Sequence, residues 1–131
     1  MPLALCLPTI GEAEPPRPPT LEEIIEAKIV DSPVVSPDGR FVAYRVITRS
    51  IRENKVHLQW YRMTVDGTGR PVPLGKPSEP IRTPMFDDIE VGIAHWSPDS
   101  SRIYALTSSQ SQIQGHALMP DGGERAVSQH A

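Results

Sequence analysis

A four-residue polar motif occurs twice in the chain, and each copy precedes residues that favour β-strands. The first copy is Ser36-Pro37-Asp38-Gly39, followed by the run Phe41–Tyr44. The second is Ser97-Pro98-Asp99-Ser100, followed by Ile103–Ala105. A constant offset of 61 residues aligns the two copies. An internal repeat is typical of folds made from repeated structural units, so it limits the architectures open to this chain.

Each copy of the motif predicts a β-hairpin. Asp38 and Gly39 suit a two-residue turn, because glycine readily takes the positive φ that such a turn needs. Ser100 stands where the first copy has Gly39, at a cost of about 1 kcal/mol that leaves the hairpin feasible. A second turn, Asp66-Gly67 and Asp121-Gly122, recurs at an offset of 55 residues. The difference predicts six extra residues in the first unit, most simply in a polar loop over 48–55.

Proline and glycine content favours an all-β fold. Fifteen prolines and nine glycines among 131 residues indicate short elements and frequent turns rather than a helical bundle. The length is that of one domain or part of one. Strands are expected at 34–35, 41–47, 57–65 and 70–74 in the first unit and at 89–96, 102–107, 112–118 and 125–127 in the second.

The sequence divides the chain into five segments. Thr20 and Glu23 match a capping box that predicts a helix over 21–28. The apolar stripe of this helix is expected to pack on another element and consists of Leu21, Ile24 and Ile25. The expected division is a disordered or signal-like terminus with a proline-rich linker (1–19), the capped helix (20–30), a first sheet (31–74), a connecting loop (75–88) and a second sheet (89–131).

Charge, cysteine content and hydropathy give no support for a nucleic-acid partner, an internal disulfide or a membrane span. The net charge of −3 has mixed signs and no long basic run, so nucleic acid is not an expected partner. The single cysteine, Cys6, cannot form an internal disulfide, and no stretch approaches the ~20 apolar residues of a membrane span. The apolar run Leu3–Leu7 leaves two alternatives open, the remnant of a secretory signal or a disordered terminus. The location, whether periplasmic, exported or cytoplasmic, is therefore open as well.

His95, Ser97 and Asp99 lie within five residues of one another and invite comparison with a catalytic triad. A triad requires the histidine to bridge the serine and the acid in space, and a strand that enters a turn does not provide this geometry. The repeat explains the serine and the aspartate as turn formers, because they match Ser36 and Asp38. We therefore predict no catalytic residue in this chain.

The other histidines and the aromatic residues carry weaker signals. No metal-ligand spacing joins the three remaining histidines, so we predict no metal site and no cofactor site among His57, His116 and His130. Three aromatic residues suit either a peptide-binding face or packing between sheets, and packing is their commoner use on such strands: Trp60, Tyr61 and Trp96.

The two hairpins resemble the blade hairpins of bacterial β-propellers, as found in prolyl oligopeptidase-type serine peptidases and TolB-like proteins. Three further features are similar to the start of lasso peptide isopeptidases, which resemble prolyl oligopeptidases and open the isopeptide-bonded ring of threaded peptides. These features are the capped helix over 21–28, the run Ser50–Asn54 leading to Leu58–Tyr61, and Glu79–Ile81 before the second sheet. The resemblance covers about Thr20 to Val127.

The resemblance implies two blades of an incomplete β-propeller, preceded by one short helix. Propellers close with four to eight blades, so we expect a truncated or partial gene product, with self-association that completes a ring as the alternative. Members of the family carry a nucleophilic serine in G-x-S-x-G on a C-terminal α/β-hydrolase domain. The chain contains no such motif, so no catalytic residue of the family is carried over and the chain alone is expected to be inactive.

Two functions of different classes follow. The first is the N-terminal propeller fragment of a prolyl oligopeptidase-type serine peptidase, which orients or gates a peptide substrate for the missing hydrolase domain. The alternative is a stand-alone TolB-like propeller module that binds another protein without catalysis. A downstream G-x-S-x-G in the reading frame favours the first, and further Ser-Pro-Asp hairpins alone favour the second.

Overall fold

A computed structural model describes residues 15–82 and 92–127. This part of the chain forms one short helix and two four-stranded antiparallel sheets. The expectations for Cys6, for the signal-like run, for His130 and for the remaining parts of 75–88 and 89–131 lie outside the described residues. No helix within the described residues has the length and apolar character needed to cross a bilayer.

Helix α1 (Leu21–Ile25) begins at the predicted cap. The amide of Glu23 donates to Thr20 Oγ1 at 3.2 Å, and the amide of Thr20 donates to the Glu23 carboxylate at 2.8 Å, so the capping box is confirmed. Arg17 donates two hydrogen bonds to the same carboxylate, at 2.6 and 2.9 Å. These contacts, the arginine first, lower the pKa of Glu23 to about 2.

The predicted extension of α1 to residue 28 and the predicted packing of its apolar stripe are both wrong. The helix ends at Ile25, because Ile29 already pairs with Ile47 in the first sheet and the chain must extend to reach it. The three stripe side chains are 72%, 58% and 38% exposed, in the order Leu21, Ile24 and Ile25. A helix this short is held by its cap and ion pair rather than by the burial of an apolar face.

The first sheet has the order β1-β2-β3-β4 with antiparallel neighbours, and its strands are β1 (Ile29–Val35), β2 (Phe41–Ser50), β3 (Lys55–Thr64) and β4 (Val72–Ser78). β1 is longer than predicted and contains a bulge between Asp31 and Val34, where Ser32 has a φ of 56°. β4 tolerates Pro73 and Pro77 because it is the last strand of the sheet.

The second sheet repeats this order as β5 (Ala94–Trp96), β6 (Ile103–Ser109), β7 (Gln112–Leu118) and β8 (Glu124–Ala126). β7 has the predicted bounds, whereas the described part of the strand expected over 89–96 begins at Ala94. The expected all-β fold, with two repeated sheets behind one short helix, is therefore confirmed.

The six extra residues of the first sheet form the end of the β2–β3 hairpin. Ile47 pairs with Leu58 there, and the equivalent pair in the second sheet is Ser108 with Ile113. Ten residues, 48–57, thus stand where the second sheet has four, 109–112. The predicted loop over 48–55 is wrong in conformation, because strand pairing continues to Ser50 and Lys55 and satisfies backbone groups that a loop leaves to water.

The two sheets pack together through one apolar core, with buried members Ala43, Trp60 and Leu74 from the first sheet and Ile103, Ala105 and Leu118 from the second. Trp96 reaches across this core. Its indole N–H donates to the carbonyl of Val34 at 3.0 Å, and its ring stacks on Phe41 with 6.5 Å between centroids. Packing between sheets is therefore confirmed for both tryptophans. Tyr61 instead stacks on Tyr44, on the opposite face of the first sheet.

β4 and the residue that follows it are hydrogen-bonded to β6 and to the turn after β7. The amide of Gly75 donates to the carbonyl of Met119 at 3.0 Å, and that of Glu79 donates to the carbonyl of Ser108 at 2.8 Å. Gly75 has a φ of 66°, and a Cβ atom there would lie 2.6 Å from Cδ2 of the buried Leu118. Only glycine fits this close approach without movement of the core.

Candidate functional site

The structure does not assemble His95, Ser97 and Asp99 into a triad. The Ser97 hydroxyl is buried, donates to Asp99 Oδ1 at 2.5 Å and accepts the amide of Arg102 at 3.2 Å. His95 lies on β5 with an exposed side chain. No hydrogen bond within the described residues joins it to the serine or the aspartate. The serine and the aspartate hold the turn between β5 and β6.

The first motif makes the same bonds at equivalent positions. The Ser36 hydroxyl donates to Asp38 Oδ1 at 2.6 Å and accepts the amide of Phe41 at 3.0 Å. The serine hydrogen bond is the first cause that holds the pKa of Asp38 well below its usual range and lowers the pKa of Asp99 to about 2. Both motifs therefore carry charged aspartates at neutral pH, and their predicted role as turn formers is confirmed.

A hydroxyl, an imidazole and a carboxylate do line up elsewhere, on the second sheet. Thr107 Oγ1 lies 2.8 Å from His116 Nδ1, and His116 Nε2 lies 3.5 Å from Glu124 Oε1. These three side chains line a cleft of about 260 Å³ together with Lys76 and Ser78 of β4. Sequence reasoning missed this group, because only the pairing of His116 with Ala105 places the imidazole near Thr107.

The order of these groups is that of a hydroxyl nucleophile with its base and acid. Thr107 is only 6% exposed, however, so little of it is open to a substrate. The second oxygen of Glu124 accepts the amide of Lys76 at 3.1 Å. The network therefore runs from the second sheet to β4 and stabilises the junction between the sheets.

A buried ion pair lies on the first sheet beside Trp60. Arg45 is 5% exposed and donates to both carboxylate oxygens of Asp31, at 2.8 and 2.7 Å. These hydrogen bonds are the main cause that lowers the pKa of Asp31. A Cβ atom at Gly92 would lie 2.9 Å from Arg45 Nε, so the backbone of residue 92 covers the guanidinium. This pair connects β1 to β2 and leaves only a cavity of about 30 Å³ beside it.

Known structures share the arrangement of the two sheets. A variant of AtxE2 isopeptidase with Astexin3-dC4 bound matches the chain with a TM-score of 0.73 at 19% identity, over 88% of this chain and 21% of that one. The apo form of the same isopeptidase matches with a TM-score of 0.72 at 19% identity, over 87% and 21%. The chain shares its fold with part of AtxE2 isopeptidase.

A curated sequence relative carries a peptidase name as well. Dipeptidyl-peptidase 5 of Porphyromonas endodontalis is 28% identical over 92 residues, which are 70% of this chain and 12% of that protein. The chain therefore spans only a small part of the proteins it resembles, 12% of the dipeptidyl-peptidase and 21% of the isopeptidase. No protein-family model matches the chain.

The prediction that the chain holds no catalytic, cofactor-binding or metal-ligating residue stays a prediction. Of the histidines considered, His57 lies 3.9 Å from Glu53, and His116 belongs to the network with Thr107. Within the described residues, no three His, Cys, Asp or Glu side chains form a group suited to a metal ion.

Proposed function

We propose that the chain is the N-terminal propeller part of a prolyl oligopeptidase-type serine peptidase, similar to the lasso peptide isopeptidases. In this proposal each sheet is one blade, and the propeller orients or gates a peptide substrate for an α/β-hydrolase domain. The observation that carries the proposal is the match to AtxE2 isopeptidase over both sheets together, with a TM-score of 0.73 and 88% of this chain covered.

The sequence relative supports the same class of activity independently. Dipeptidyl-peptidase 5 and AtxE2 isopeptidase are both named for the cleavage of peptide or isopeptide bonds. The proposed substrate is accordingly a peptide or an isopeptide-linked peptide.

The outer face of the second sheet supports an incomplete propeller. Leu106 on this face and Ile93 and Val127 beside its edge strands are exposed apolar side chains, at 56%, 64% and 59% exposure. They border a shallow cleft of about 250 Å³ with Tyr104. A sheet with one buried face and one apolar exposed face is typical of a sheet that packs on a further layer. In the proposal this layer is a third blade.

The proposed domain division keeps the boundaries expected from the sequence, with blades over 31–74 and 89–131, the connecting loop over 75–88 and the linker before residue 20. The observed strands of the first sheet run slightly beyond the proposed first blade at both ends. β1 begins at Ile29, and β4 ends at Ser78.

The adjacent genomic DNA tests the proposal. We expect its reading frame, continued directly or after one frameshift, to encode further four-stranded repeats and then G-x-S-x-G with an acid and a histidine after it. The longer protein should cleave peptide or isopeptide substrates and lose this activity when the motif serine is changed to alanine. The 131-residue chain alone should not cleave them.

Two results would contradict the proposal. A continuation with only further Ser-Pro-Asp hairpins favours the alternative, a TolB-like module that binds another protein. Cleavage by the purified chain alone, retained in a Ser97→Ala variant, places the chemistry in residues that the proposal does not use.

A further inference from the structure

A cleft of about 310 Å³ lies at the end of the β2–β3 hairpin, beside the end of α1. Residues of the helix, of the hairpin and of the segment 80–82 line it. Among the described residues, the lining includes no acidic residue and three cationic ones, Arg49, Lys55 and Arg82. Among the described residues the lining therefore carries positive charge, which attracts anions.

Two of these cations have no partner in the described part of the chain. Neither the Arg49 guanidinium nor the Lys55 ammonium makes a hydrogen bond or an ion pair with residues 15–82 or 92–127. Arg49 is also half-buried on β2. Most buried polar groups are hydrogen-bonded, and a guanidinium offers five donors in a planar fork that matches a carboxylate. A half-buried arginine with all its donors free is suited to an anionic ligand.

The acidic groups nearest to the cleft are engaged elsewhere. Glu26 Oε1 accepts the amide of Ile51 at 2.9 Å, which holds the hairpin end against α1. Glu53 lies 3.9 Å from the imidazole of His57. Neither carboxylate lines the cleft, so neither occupies the place of an external anion.

The remaining wall of the cleft is apolar. Ile25 is 38% exposed and Ile51 is 46% exposed, and both line the cleft together with Pro80. Of the three residues of the α1 stripe, Ile25 is the one that lines this cleft. An apolar wall beside the Arg49 guanidinium matches a chain that alternates carboxylates with apolar side chains.

The second sheet shows that the cleft belongs to the six extra residues of the first. At the equivalent hairpin end it has only Ser109-Gln110-Ser111-Gln112, which carry no charge. Arg49 and Lys55 both lie within 48–57, the longer counterpart of those four residues. The extension therefore brings cations to this end of the molecule.

We propose that this cleft binds an acidic peptide segment, with a carboxylate on Arg49 and an apolar side chain against Ile25 and Ile51. The charge complementarity identifies the carboxylate. The peptide nature of the ligand rests on the proposed function.

Fluorescence anisotropy with the full 131-residue chain tests the proposal. The probe is a fluorescein-labelled peptide of alternating leucine and glutamate, compared with the same peptide carrying glutamine. We expect the glutamate peptide to bind about tenfold more tightly, since a charge-assisted hydrogen bond is about twice as strong as a neutral one. Arg49→Gln should weaken its binding by about tenfold, whereas Lys55→Gln, on the opposite face of the hairpin, should weaken it less.

The matched control is Arg70→Gln, which removes the same charge from an exposed residue near the other end of β3. Its affinity for the glutamate peptide should stay within about twofold of the unaltered chain. Far-UV circular dichroism of each variant checks that the fold is retained.

Three results would overturn the proposal: no binding of the glutamate peptide, equal binding of the glutamine peptide, or equal weakening by Arg70→Gln and Arg49→Gln. Its failure is separable from that of the proposed function. A reading frame without G-x-S-x-G removes the peptidase assignment, whereas binding that depends on Arg49 then still supports a carboxylate site.

Discussion

Gly39 and Gly75 both adopt positive φ, at 71° and 66°, but their surroundings differ. A Cβ atom on Gly39 would have nothing within 4 Å, so its only demand is on the backbone. On Gly75 the same atom would lie 2.6 Å from Leu118 Cδ2, in the core shared by the two sheets. Local turn geometry therefore explains the first glycine, whereas the second also depends on packing between distant residues.

Alanine substitutions should separate these two effects. Gly39→Ala should lower the free energy of unfolding by about 1 kcal/mol through backbone strain alone. Gly75→Ala should lower it by a further ~1–3 kcal/mol, because the added methyl overpacks the core. Urea unfolding followed by tryptophan fluorescence measures both. Gly67→Ala, with a φ of 75° and nothing within 4 Å, is the matched control and should behave like Gly39→Ala. Equal losses at Gly39 and Gly75 would refute the packing argument.

The β2–β3 hairpin shows how one element of the repeat acquired a different surface. Its register continues that of the second sheet up to the buried pair Ile47 and Leu58, at 5% and 4% exposure. Beyond this pair the extra residues add strand pairs, the contact of Ile51 with Glu26 and the cationic cleft. The extension therefore lies outside the core, at the hairpin end where the first sheet is longer than the second.

Replacing residues 48–57 by Ser-Gln-Ser-Gln should leave both sheets folded. The shortened hairpin keeps the pair Ile47 and Leu58 and loses exposed hydrogen bonds, so we expect the free energy of unfolding to fall by no more than about 2 kcal/mol. Binding of the glutamate peptide should disappear together with Arg49. Urea unfolding and anisotropy measure the two effects. An unfolded graft would show that the extension belongs to the core after all.

The described part of the molecule has one core rather than two. Trp60 and Leu74 of the first sheet contact the same cluster as Ile103 and Leu118 of the second. Gly75 of β4 donates a further backbone hydrogen bond to Met119, just after β7, and Glu79, just after β4, donates one to Ser108 of β6. Because each sheet buries one face against the other, loss of packing in one sheet must destabilise both.

Leu118→Ala should therefore destabilise the first sheet from a position on the second. Truncation of a fully buried leucine costs about 2–5 kcal/mol. In a Trp96→Phe background the remaining Trp60 reports on the first sheet, while far-UV circular dichroism reports on both. The two urea midpoints should shift together. Separate transitions, with Trp60 fluorescence unaffected by Leu118→Ala, would contradict a shared core.

Several features were predictable because their causes are local in sequence. The turn at Asp38 and Gly39 follows from side-chain hydrogen bonds within five residues, and its repeat predicted two sheets of the same order. The capping box of Thr20 and Glu23 is equally local. The length of α1 was not predictable in this way, because it depends on where Ile29 pairs with the neighbouring strand. The extension over 48–57 was located by counting, but its strand conformation depends on pairing across the hairpin.

The sequence by itself determined the turns, the cap, the alternation of strands and the existence of a repeat, since each rests on bonds between near neighbours. Only the tertiary structure decided which side chains meet. It brought Thr107, His116 and Glu124 into one network, placed Gly75 against Leu118 and left Arg49 without a partner among the described residues, beside an apolar wall. These arrangements depend on strand register and on the packing of one sheet against the other, which join residues far apart in the chain.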